Sequence, residues 1–64
     1  MKASEMRKLI GKNIEWIEGN CPWRGGILHR GIVIEVSGRN VRIYQHGIED
    51  WKWLPNMTGV KEVV

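Results

Sequence analysis

The stretch Arg30 to Tyr44, RGIVIEVSGRNVRIY, constrains this chain more than any other. Two β-branched runs flank Gly38-Arg39. A two-residue type II′ turn takes glycine at its first central position, and Gly38 stands there. Counting outward gives the predicted register: Ser37 opposite Asn40, Val36 opposite Val41, Glu35 opposite Arg42, Ile34 opposite Ile43 and Val33 opposite Tyr44. Ile34, Ile43, Val36 and Val41 then share one face, and Glu35 and Arg42 meet on the other as an opposite-charge pair. A slip by one residue would carry all four aliphatics into water, so the pairing is strongly specified.

The 64 residues make one domain. A chain this short buries only about 60% of its unfolded surface and needs a staple, a partner or dense packing. One cysteine excludes an internal disulfide, and four tryptophans with no phenylalanine are the expected compensation. Each large aromatic can bury roughly 150–250 Å². No apolar run is long enough to span a membrane. The N-terminal MKASEMRKLIGKN has no apolar core of a signal peptide, so a reducing, cytoplasmic setting is expected. The formal charge of +3 permits nucleic-acid binding without demanding it. It is concentrated in Lys2, Arg7, Lys8 and Lys12, and in Arg24, Arg30, Arg39 and Arg42.

Residues 3–10 read as a short helix. Ser4 is the expected N-cap, and Met6, Leu9 and Ile10 form an apolar stripe. Two turns hold no helix alone in water, so this one must dock. Asn13 to Glu18 alternates as a strand, with Ile14 and Trp16 on one face and Ile17 on the other, where the helix can cover it. Gly19 to Gly26, GNCPWRGG, has the composition of a functional loop. Ile27 to Val36 and Val41 to Tyr44 are the hairpin strands, and Gln45 to Asp50 is a polar connection. Trp51 to Leu54 is a short strand, Pro55 to Thr58 a 3₁₀ turn, and Val60 to Val63 the last strand.

The tail WKWLPNMTGVKEVV resembles the end of a Src-homology domain, where a tryptophan-bearing strand precedes a proline-containing 3₁₀ turn and a Val-rich strand. GIVIEVSGRNVRI is similar to the G-x-V-x-x-V hairpins of KOW and Tudor domains. The resemblance covers about residues 13–63. It implies a mainly β fold: a single SH3-like domain over 1–64, with a five-stranded barrel over 13–63 and the helix over 3–10. The chain lacks the ALYDY-type strand of the peptide-binding Src-homology domains, and Thr58 stands where their Pro-x-x-Tyr motif has tyrosine. It also looks like small proteins of bacteria and their prophages.

Nothing in the sequence assembles a catalytic set, and no enzyme activity is expected. Cys21 lies in a loop far in sequence from His29 and His46. One cysteine and two separated histidines give no zinc-ligand spacing, so neither metal nor cofactor is expected. Glu49 and Asp50 are adjacent and would point apart on a strand.

The tryptophans carry more. Trp16 and Trp53 are expected in the core. Lys52 between Trp51 and Trp53 should not be buried unpaired, which turns the Trp face inward and leaves Trp51 at the rim. Trp23 is either a lid over an open barrel end or an exposed platform beside Arg24. Tyr44 and Val33 are expected as an apolar pair on the outer hairpin face, either covered by the helix or, for Tyr44, free to stack. The predicted ligand surface therefore combines Trp23, Arg24, Arg30, Arg42 and Tyr44, with Trp51 on the rim. Two non-catalytic partners fit it. A nucleic acid would use stacking platforms between arginines. A protein partner, including weak self-association, would use a Trp-rich barrel rim.

Overall fold

The structure is a computed structural model that describes residues 2–18 and 27–64. Its elements are α1 (Ala3–Arg7), β1 (Asn13–Glu18), β2 (Ile27–Ser37), β3 (Asn40–Gln45), β4 (Ile48–Trp53), a 3₁₀ turn (Leu54–Asn56) and β5 (Met57–Glu62). The strands form one antiparallel sheet in the order β4-β3-β2-β1-β5, with β4 and β5 as its edges. No helix among the described residues is long and apolar enough to cross a membrane.

The Gly38-Arg39 turn forms as expected. Gly38 has φ +58°, while Arg39 stays out of the left-handed region, the pattern of a type II′ turn. Ser37, Val36 and Glu35 face Asn40, Val41 and Arg42. Beyond Glu35 the predicted register fails, because Ile34 is an extra residue in β2. Val33 faces Ile43, and Ile32 faces Tyr44. Val33 therefore points into the core, and the expected outer pair of Val33 with Tyr44 does not exist. The cause lies far away in sequence. Gly11 donates its N–H to the Val33 carbonyl (2.7 Å), and Val33 donates to the Lys12 carbonyl (3.2 Å). The segment leading into β1 thus claims the Val33 backbone, and a bulge is how β2 accommodates it.

Met6, Ile14, Trp16, Val33, Val41, Ile43, Leu54 and Met57 form the core, with Ala3, Leu9, Val36 and Val60 packed against it. The sheet curls around this cluster. Met6 places α1 on its concave side, away from Tyr44 and Ile17. The helix ends at Arg7, three residues short of the expectation, and Lys2 rather than Ser4 holds its N-cap position. Gly31 is required on the concave side. A Cβ there would lie 2.5 Å from Ile43 Cγ2 and 2.9 Å from the Tyr44 carbonyl oxygen. The missing side chain is what lets Ile43 fill the space beside Trp16.

The largest correction concerns β4. It begins at Ile48, not Trp51, because His46 and Gly47 make a second two-residue turn with φ +54° and +80°. Both values are positive, as a type I′ turn requires. The turn sets Val41 opposite Lys52 and Ile43 opposite Asp50. Lys52 therefore shares the concave face with core residues, and the tryptophans take the convex one. Trp53, expected in the core, is 51% exposed. Lys52 tolerates its position because a lysine can lay its stem along apolar surface while its ammonium reaches out. Its Nζ lies 3.8 Å from both Glu18 Oε2 and Asp50 Oδ2.

Candidate interaction face

The convex side of β2, β3 and β4 carries three rows of side chains running across the strands. They are Ile32–Tyr44–Glu49, Glu35–Arg42–Trp51 and Ser37–Asn40–Trp53. Regular two-residue hairpins on both sides of β3 hold the rows in line. Tyr44 and Trp51 are 44% and 47% exposed. Together with Trp53 they place three aromatic side chains on one face. A shallow hollow of about 380 Å³ opens among Ser37, Asn40 and Trp51.

Arg42 sits at the centre of these rows and is already engaged. Its Nη2 donates to Glu49 Oε2 at 2.7 Å, and its Nη1 lies 3.5 Å from Glu35 Oε1. The Glu35 pairing was expected; the shorter one to Glu49 depends on β4 beginning at Ile48. Two carboxylates around one guanidinium leave this part of the face with no positive excess.

Arg30 lies further along β2 and turns toward β1. Its Nε donates to Glu15 Oε2 at 3.2 Å, and Lys61 Nζ approaches Glu15 Oε1 to 2.9 Å. The Lys61 ammonium hydrogen-bonded to Glu15, with Arg30 beside it, holds the Glu15 carboxyl below its usual range. The structure therefore brings Arg42, Tyr44 and Trp51 together and leaves Arg30 in a separate ion-paired row. Trp23, Arg24 and Cys21 lie outside the described residues.

The concave side holds a polar cluster at the end of β1. His29 stacks on Trp16, with ring centroids 5.6 Å apart and planes at 17°. Gln45 Nε2 lies 3.1 Å from His29 Nδ1, and His29 Nε2 lies 3.5 Å from Glu18 Oε2. Trp16 is fully buried, and its Nε1–H has no hydrogen-bond partner among the described residues. Also among those residues, no three His, Cys, Asp or Glu side chains are grouped to hold a metal ion.

Two contributors were missed in the sequence. Trp53 is expected in the core, and Glu49, the nearer carboxylate on Arg42, falls within the expected polar connection Gln45 to Asp50. Reading His46-Gly47 as a turn and counting outward from it would have found both. In comparison with known proteins, the chain matches no family model, no curated protein and no solved structure.

Proposed function

We propose that this chain is a non-catalytic SH3-like binding module that takes an extended protein segment at β4 and the aromatic face beside it. The SH3-like reading is supported by a 3₁₀ turn after β4 and by the return of β5 to pair with β1. A reducing compartment such as the cytoplasm suits its single cysteine.

One observation carries the choice of partner. The exposed aromatics Tyr44, Trp51 and Trp53 lie on a face whose central cation, Arg42, is held by Glu35 and Glu49. Single-strand binding needs stacking platforms in a positive groove. Here the platforms are flanked by carboxylates, which repel phosphate. A protein segment can instead use the rings as apolar anchors and, as a ladder, the side of β4 that pairs with no other described strand.

The test selects binders from a random peptide library and follows the amide NMR shifts on titrating a selected peptide. Shifts clustered on Arg42, Tyr44, Glu49, Trp51 and Trp53, lost in Trp51→Ala, are expected. A parallel titration uses an unspecific single-stranded oligonucleotide at two salt concentrations. If the oligonucleotide alone binds, with salt-sensitive shifts at Arg39 and the helix lysines, the partner is a nucleic acid and this reading fails.

A further inference from the structure

The geometry points to one particular occupant of the β4 edge: β4 of a second copy of this chain, paired antiparallel with Trp51 opposite Trp51. This inference rests on the strand-addition reading above and names its partner.

The first step is the direction of the backbone groups. Leu54 donates its N–H to the Arg39 carbonyl at 2.8 Å. Hydrogen-bonded pairs alternate along an antiparallel ladder. Ile48, Asp50, Lys52 and Leu54 therefore bond toward β3, while Glu49, Trp51 and Trp53 point their N–H and C=O groups away from the sheet. The Trp51 N–H bears this out, since it donates to Oδ1 of the preceding residue, Asp50, at 2.9 Å. Five of the six β4 residues are exposed, Lys52 being the exception.

The second step is register. Two copies related by a two-fold axis must oppose outward-pointing residues to outward-pointing residues, which allows only every second alignment. Centring the pair on Asp50 sets Asp50 against Asp50. Centring it on Lys52 sets Lys52 against Lys52. Both place like charges directly across the ladder, which is unfavourable. Centring it on Trp51 sets Asp50 against Lys52 twice, joins the two Trp51 rings, and brings Trp53 over Glu49 and Ile48 over Leu54. The β4 sequence IEDWKW is thus self-complementary about Trp51.

Asp50 acts as the latch. In the single chain its carboxylate occupies the outward Trp51 N–H. On pairing, that N–H passes to the Trp51 carbonyl of the second copy, and Asp50 is released toward the facing Lys52. The Asp50–Lys52 pair would fall at a non-hydrogen-bonded site, where facing side chains come closest.

Sedimentation equilibrium of the purified full chain from low to high micromolar concentration tests this, with three variants beside it. Lys52→Asp and Asp50→Lys each set like charges across the interface, and each should weaken association roughly tenfold or more. The double swap Asp50→Lys/Lys52→Asp restores opposite charges and should recover it. Asp50 is exposed, so Asp50→Lys carries the test if Lys52→Asp does not fold. Association that ignores both single swaps, or is not rescued by the double one, overturns this register. A monomer throughout overturns self-pairing; if a selected peptide still shifts Trp51, the strand-addition reading stands with a different partner, and if none does, both fall.

Discussion

The two edges of this sheet are built in opposite ways. β5 enters from the 3₁₀ turn with Met57 buried, keeps Val60 half-buried, and shifts register against β1 between Glu15 and Ile17. A bulge of this kind twists an edge and spoils it as a template. β4 pairs with β3 from Gln45·Ile48 to Asn40·Trp53 without a break, and it buries no residue fully. The contrast extends to tryptophan. Trp16, on the interior strand β1, is wholly buried, whereas Trp51 and Trp53 on the β4 edge are half exposed. Residue type does not decide this. Strand position and the phase set by the neighbouring turn do.

The sharpest way to break that contrast is to truncate its members. Trp16→Ala should destabilise the fold by roughly 3–5 kcal/mol, most of what a domain this small has. Trp53→Ala should cost on the order of 1–2 kcal/mol, because about half the ring already meets water. Urea unfolding of both variants measures the difference; equal losses would mean that Trp53 is a core residue. Gly31→Ala should cost about 1–3 kcal/mol by forcing a methyl against Ile43 and the Tyr44 carbonyl. An unchanged melting temperature would show that the sheet can open there.

Gly38→Val should cost more than about 1 kcal/mol, since a β-branched residue resists φ > 0. The turn that aims β4 responds in the other direction. His46 holds φ +54°, a conformation asparagine adopts more readily, so His46→Asn should raise stability by about 0.5 kcal/mol. A thermal melt that falls instead would question the I′ turn and with it the phase of β4.

The smallest effect concerns the β5 side. The folded Glu15 carboxyl titrates below its unfolded range because Lys61 and Arg30 favour its charged form. Its stabilisation is present above the unfolded carboxylate pKa and is lost as pH falls through the lower folded value. Glu15→Gln should flatten the acid limb of the stability profile and leave neutral-to-alkaline behaviour parallel to wild type. An acid limb of unaltered slope would show that these contacts do not bind Glu15 in solution.

The legible and illegible parts of the fold divide by range. Gly38 announces its turn locally, and the pairs nearest it follow by counting. The Ile34 bulge is invisible to such counting, because it answers hydrogen bonds from Gly11 and Lys12. Met6 was readable as an anchor, but which face it covers depended on the whole sheet. His46-Gly47 lacks the usual asparagine, so the sequence alone starts β4 at Trp51, three residues late, and inverts its phase. The rule against burying lysine then pointed the tryptophans inward, because Glu18 on a distant strand was not counted as a partner. Of the candidate face, Arg42 and Tyr44 share a side of β3 by simple alternation, whereas Trp51 joins them only through the phase of β4. The guanidinium's second carboxylate, Glu49, required the true start of β4.

The most direct test of the account is amide hydrogen exchange as a function of protein concentration. Glu49, Trp51 and Trp53 are the β4 amides that point away from the sheet. Their protection should grow with concentration, while that of the β5 amides stays unchanged. Protection independent of concentration at all three, or growing on β5 instead, would contradict the assignment of β4 as the edge through which this protein associates.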